Sequence, residues 1–242
     1  MSDMAMLLVA GTAVLAGALV QSSVGLGLGL VAAPVVAFLD PTLMPGTMLI
    51  AAVILPMLTL HAERGVPGAI DWYGIGWSMP ARLLGTVAGV WIVAMLAPAL
   101  LAAMVGVMVL VAVALTATAV RVRTTPVTLS LAGLVSGAIG TATSMGGPPM
   151  ALVYQHESGP RVRATLGVYF LIGMALSLTA LAFGGQLDIR QVGFGAALVP
   201  FVLAGFLLAR PIRSRIDGGL LRRALLTVVG VSGVVLIAQA LW

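Results

Sequence analysis

The sequence predicts an all-α integral membrane protein with an inverted internal repeat, six spanning helices and two re-entrant Gly-rich hairpins. Three observations lead there. Of the 242 residues, 61% are hydrophobic and 8% charged, and the apolar residues gather in runs of roughly 17 to 22, the length at which a helix crosses a ~30 Å hydrocarbon layer. The same succession of segments occurs twice, which divides the chain into a first membrane repeat at 1–123 and a second at 124–242. Finally, the arginines segregate to one side of a bilayer only if two of the apolar blocks enter and return.

Residues 4–39 form one apolar block, broken by Gln21, Ser22 and Ser23 and then by Gly25, Gly27 and Gly29, before Pro34 and a polar end at Asp40 and Pro41. Only Asp3 precedes it in place of a basic leader, so its first part reads as a membrane segment and not as a signal peptide. Residues 42–60 are a second segment, ending at His61, Glu63 and Arg64 in a polar loop that runs to Asp71. Residues 73–96 follow as a helix containing Pro80, Arg82 and Gly85, then 99–120 after Pro98, with Arg121 and Arg123 closing the half. In the second half, residues 127–154 are again an apolar block with a glycine-rich break. Helices at 164–183, 192–209 and 224–242 follow, the last two separated by a basic loop at 210–223. At an offset of 120 the halves share Pro80 with Pro200 and Gly85 with Gly205. Duplicated halves are the usual build of secondary transporters.

Arginine placement decides how the halves face. If every block crosses once, as eight segments, seven arginines lie inside and four outside. If residues 4–39 and 127–154 are re-entrant, the split becomes ten to one, with Arg190 alone outside and Arg82 within the membrane. The positive-inside rule prefers the second arrangement and leaves the eight-segment reading as the alternative. It gives each half an odd number of crossings, so the halves are inverted, the hairpin tips meet near the midplane and both termini lie outside. The expected location is the cytoplasmic (inner) membrane of a bacterium, as a multi-pass protein.

Composition excludes other classes. The formal charge of +5 comes from arginine alone, and no basic run is interleaved with aromatics, which argues for lipid-facing loops and against nucleic acid. Without cysteine there are no disulfides, thiolate metal sites or sulfur relays. We expect no cofactor and no bound metal; the partners are the bilayer and a small anion, and the chain allows a homodimer.

The two breaks, Gly25-Leu26-Gly27-Leu28-Gly29 with Pro34 and Ser136-Gly137-Ala138-Ile139-Gly140 through Gly146-Gly147-Pro148-Pro149, resemble the paired signatures of the TauE/SafE family of membrane transporters. Chain length, four-segment halves and the polar loop near Arg64 fit as well. The first signature departs from the family pattern by alternating its glycines with leucine. The resemblance implies movement of sulfur-containing anions such as sulfite, sulfoacetate and other organosulfonates, and selects none of them.

Arg82 lies roughly 13 Å along its helix, and a charge there costs ~2.5–3.5 kcal/mol even on the permissive scale, so a bundle-facing partner is expected. All seven acids fall at segment ends or in loops, and a sulfonate or sulfite would supply the counter-charge through bidentate bonds. The competing reading is that Arg82 snorkels or pairs with Asp71. Half-helices starting at Pro148 and near Gly29 would point positive dipole ends at the midplane. Thr141, Thr143 and Ser144 in one tip, with Gly146 and Gly147, and Gln21, Ser22 and Ser23 in the other, with Gly27 and Gly29, complete the expected substrate site. The bland alternative is that these glycines pack helices and the hydroxyls bond the preceding turn. His61 and His156, each beside an acid, are candidates for proton-linked gates, although segment ends are routinely polar.

These residues favour a secondary transporter, an exporter, working by alternating access around a midplane anion site, and not an enzyme. Two readings compete with it: an intramembrane hydrolase with Ser144 as nucleophile and His156 as base, and a membrane scaffold that transports nothing.

Overall fold

The computed structural model describes residues 2–24, 27–64, 68–117, 122–212, 230–231 and 233–238. Within them every regular element is helical: α1 (Asp3–Val24), α2 (Leu28–Leu39), α3 (Gly46–Ala52), α4 (Ile54–Ala62), α5 (Trp72–Met95), α6 (Pro98–Ala117), α7 (Pro126–Thr143), α8 (Gly147–Tyr154), α9 (Gly159–Phe183) and α10 (Ile189–Ile212), with one 3₁₀ turn at Pro41–Leu43. Five helices, α1, α5, α7, α9 and α10, are long and apolar enough to cross a membrane. Arg121, the loop from Arg213 through Arg223 and most of the helix expected at 224–242 lie outside the described residues.

Local chemistry accounts for most boundaries. Thr125 caps α7 in a reciprocal box with Thr128, and Pro126 occupies the first helical position, where its missing N–H costs nothing. α7 stops at Ser144, whose φ of 62° is left-handed. α2 starts after Gly27, which at φ 147° takes a conformation closed to other residues. α9 begins at Gly159, ahead of the expected 164, with Pro160 in its first turn, where a missing N–H costs nothing. The segment expected as one helix over 42–60 is instead divided into α3 and α4 at Val53. Pro56 explains the break, since its ring excludes the carbonyl of Ala52, four residues back, and it has no N–H to give.

Helix directions follow from contacts between them. α5 and α7 run parallel and nearly touch: Gly133 lies against the Ser78 carbonyl, Gly137 against that of Arg82, Gly85 against that of Leu134, and Gly89 against that of Ala138. Small residues four apart on both helices let the backbones approach this closely. α1 and α10 also run parallel, with Gly11 against the Phe201 ring and Gly205 against the Leu15 carbonyl. α9 is about 37 Å long at 1.5 Å per residue and connects the two ends of the molecule. Its start is tied to the α4–α5 loop by Arg163–Glu63 at 2.7 Å and by the Asp71 N–H donating to Thr165 Oγ1. At its far end Gly184 lies against Val90, near the close of α5.

α5, α7 and α9 therefore start at one end, which also carries Arg64, Arg123, Arg161 and Arg163; we call it the basic end. α10 and α1 start at the opposite end, where Arg190 meets Asp40 at 2.9 Å. Both hairpins return to the end they left. Thr124, before α7, donates to the Val153 carbonyl near the end of α8, and α2 ends at Asp40, level with the start of α1. Each hairpin has one arm long enough by itself to cross a bilayer, of 22 residues in α1 and 18 in α7, and one short arm, of 12 in α2 and 8 in α8. The chain is an all-helical membrane protein in which two short helices begin in the interior and leave toward opposite ends.

Candidate functional site

The beginnings of α2 and α8 face one cavity of about 40 Å³, space for roughly three waters. Gln21 of α1, Gly27, Gly29 and Leu30 at the start of α2, and Leu49 and Ala52 of α3 line it from one side. Arg82 of α5, Gly140 of α7, the tip from Ser144 to Pro148, and Phe170 and Met174 of α9 line it from the other. Of the expected site residues, the structure therefore brings Gln21, Gly27, Gly29, Arg82, Ser144, Gly146 and Gly147 together around this space.

Arg82 is only 2% exposed, and among the described residues its surroundings hold the cation without a carboxylate. Its Nη1 donates to Ser136 Oγ at 3.0 Å, and its guanidinium carbon stands 4.6 Å from the centroid of the Tyr169 ring, a contact worth about 2 kcal/mol when desolvated. Ser136 Oγ in turn donates to the Gly146 carbonyl, which ties the arginine to the first turn of α8. Nε has no partner and is buried. Gly173 makes the placement possible, because a Cβ there would occupy the guanidinium itself. Asp71, the alternative partner, is taken elsewhere: it accepts from Tyr154 Oη at 2.8 Å and lies 3.7 Å from Arg161.

The two tips offer unequal donors. Gln21 Oε1 accepts from the Leu28 N–H at 3.0 Å, capping α2 and leaving the N–H groups of Gly29 and Leu30 without an intrahelical acceptor. In α8 the second and third residues are Pro148 and Pro149, which have no N–H. The first turn of α8 thus supplies the positive end of a dipole and the Gly147 N–H, fewer donors than an ordinary helix start.

The hydroxyls expected at the tips are largely engaged by the protein. Ser22 donates to the Ala18 carbonyl, Ser23 to that of Leu19 and Thr143 to that of Ile139, all one turn back. Thr141 shares a 2.7 Å bond with Ser177, joining α7 to α9. Ser144 lines the cavity but donates to the Pro45 carbonyl at 2.9 Å, joining the tip to the start of α3. Only the last position lies where a ligand would also reach it.

His61 and His156 sit at the basic end, away from the cavity, and are exposed. Their neighbouring acids pair with arginines instead, Glu63 with Arg163 and Glu157 with Arg161. The length of α8, about 12 Å at 1.5 Å per residue, separates Ser144 from His156, so the nucleophile–base pair of the hydrolase reading does not assemble. Among the described residues no cluster of histidine and carboxylate suited to a metal comes together.

Sequence reasoning did not select Ser136, Tyr169 or Gly173. Ser136 opens the second glycine signature, yet its partner lies 54 positions away. Tyr169 and Gly173 differ by four and so share a helix face, but nothing local marks that face as the arginine's.

A family model described as Sulfite exporter TauE/SafE matches residues 9–236. The chain belongs to that family. Its members are transporters, and this multi-pass membrane chain is one of them in the general sense of handling small anions across a bilayer. Among curated proteins and among solved structures nothing matches.

Proposed function

We propose that this TauE/SafE protein is a secondary transporter that exports small sulfur-containing anions, sulfite, sulfoacetate or other organosulfonates among them, by alternating access around the cavity at Arg82. The observation that carries this reading is a buried arginine with no carboxylate partner among the described residues, set where the first turns of two short helices from opposite ends converge. A buried cation left unpaired is costly, and an oxyanion entering the cavity would meet the guanidinium and the N–H groups of Gly29 and Leu30 together.

The architecture fits alternating access. We take residues 1–123 and 124–242 as halves related by inversion: α5 against α7 and α10 against α1 are parallel pairs that start from opposite ends. The Gly85 contact with Leu134 has its counterpart, at offsets of 120 and 119, in that of Gly205 with Leu15. Rocking of such halves about a fixed site is the common transporter mechanism. We assign the basic end to the cytoplasm of a bacterial inner membrane, which puts the first residues outside.

No carboxylate among the described residues faces the cavity, so no proton relay supports uptake. Expulsion of an anion is favoured by an inside-negative potential, at ~2.3 kcal/mol per charge per 100 mV. Reconstituted in liposomes, the protein should move labelled sulfite or sulfonate at a rate set by the imposed potential. Flux that rose with an inward proton gradient and ignored the potential would overturn export.

A further inference from the structure

We infer that the cavity selects by charge state: it takes a small oxyanion carrying one negative charge and discriminates against a dianion of the same shape. This rests on the transport reading above and narrows its substrate class, placing sulfoacetate, a dianion at neutral pH, below hydrogensulfite and the singly charged sulfonates. The argument starts from what faces the cavity. Arg82 is the sole charged side chain there among the described residues; the six described acids, Asp3, Asp40, Glu63, Asp71, Glu157 and Asp188, lie at helix ends or in loops. Behind Arg82 stands the ring of Tyr169, on α9.

One cation meets one anion, and the loaded site is then neutral. A dianion would leave a net negative charge among Leu30, Leu49, Met145, Phe170 and Met174. The cost of stripping water from an ion grows with the square of its charge, about fourfold from monoanion to dianion. An oxyanion that fills a space of about three waters displaces most of that hydration. Helix starts add partial positive charge, but at α8 the two prolines remove the donors that would deliver it to a second anionic oxygen. A neutral loaded centre also leaves no unpaired charge within apolar protein while the halves rock about it.

Methanesulfonate and sulfate make the test, being tetrahedral sulfur oxyanions that differ by one charge. Thermal stabilisation of the purified full-length protein and flux into proteoliposomes are measured for each at neutral pH. The expected result is binding and flux of methanesulfonate with a preference over sulfate of about tenfold or more. Sulfite should bind more tightly as falling pH converts its dianion to hydrogensulfite, while methanesulfonate, a monoanion throughout, stays level and controls for titration of the protein. Arg82→Lys should keep the preference at reduced affinity, and Arg82→Gln should lose methanesulfonate binding; if either variant fails to fold, the wild-type series alone decides. Equal or stronger binding of sulfate would overturn charge selection and leave anion transport standing. Failure of every anion to bind or move would overturn both.

Discussion

Arg82 is held by contacts that single substitutions can remove one at a time. Ser136→Ala should leave the Nη1 donor and the Gly146 carbonyl without their hydroxyl, destabilising the protein by about 1–3 kcal/mol and weakening anion binding, both readable in thermal denaturation with and without sulfite. Gly173→Ala should cost more binding than stability, since the methyl displaces the guanidinium and α9 itself gains a better helix former. Asp40 allows a pH prediction. Burial pulls its carboxyl upward, but the hydrogen bonds from Thr42 and the charge of Arg190 outweigh that and hold its pKa below the usual 3.8. A depressed carboxyl stabilises the fold above the unfolded-state value and loses that contribution as pH falls through the folded one. Asp40→Asn should therefore be less stable than wild type at neutral pH, and the gap between their melting temperatures should close below about pH 4. At this scale the sequence was half legible. A lone arginine in an apolar helix announces itself, whereas Ser136, Tyr169 and Gly173 acquire meaning only when α5, α7 and α9 pack. Ser22, Ser23 and Thr143 follow a known tendency, because a serine or threonine in an apolar helix finds its nearest acceptor one turn back.

Helices α5 and α7 meet through glycines on both partners, and α10 meets α1 through Gly11 and Gly205. Replacing Gly85 or Gly205 with valine should force backbone apart in either pair and cost about 1–3 kcal/mol or more, measured as a fall in melting temperature. A small effect at Gly205 beside a large one at Gly85 would count against equivalent roles. Most elements could be read from apolar runs and from proline and glycine, including both hairpin breaks. The division of α3 from α4 was equally present in Pro56, but a 19-residue apolar run suggests continuity unless the carbonyl four residues before each proline is considered. The start of α9 lies beside Pro160, which a hydropathy reading passes over.

The whole molecule has a basic end and an opposite end. The chain contains no cysteine, so single cysteines report position without background. Gln186→Cys should react with an impermeant maleimide added outside intact cells, and Arg123→Cys only after permeabilisation; the reverse pattern would invert the membrane orientation proposed above. Arginine segregation is what proposes that topology from sequence, because a hairpin that returns shifts every following loop to the other side. What it could not supply was the inequality of the two tips. With the halves related as proposed, the position equivalent to Arg82 is Val202, and the donors of α2 face the prolines of α8. A carrier with matched halves would present its cargo with the same face whichever way it opened. This one need not turn around at equal speed in both directions: detailed balance fixes the final distribution of cargo by the gradients alone, but the lopsided site sets how quickly each direction is travelled.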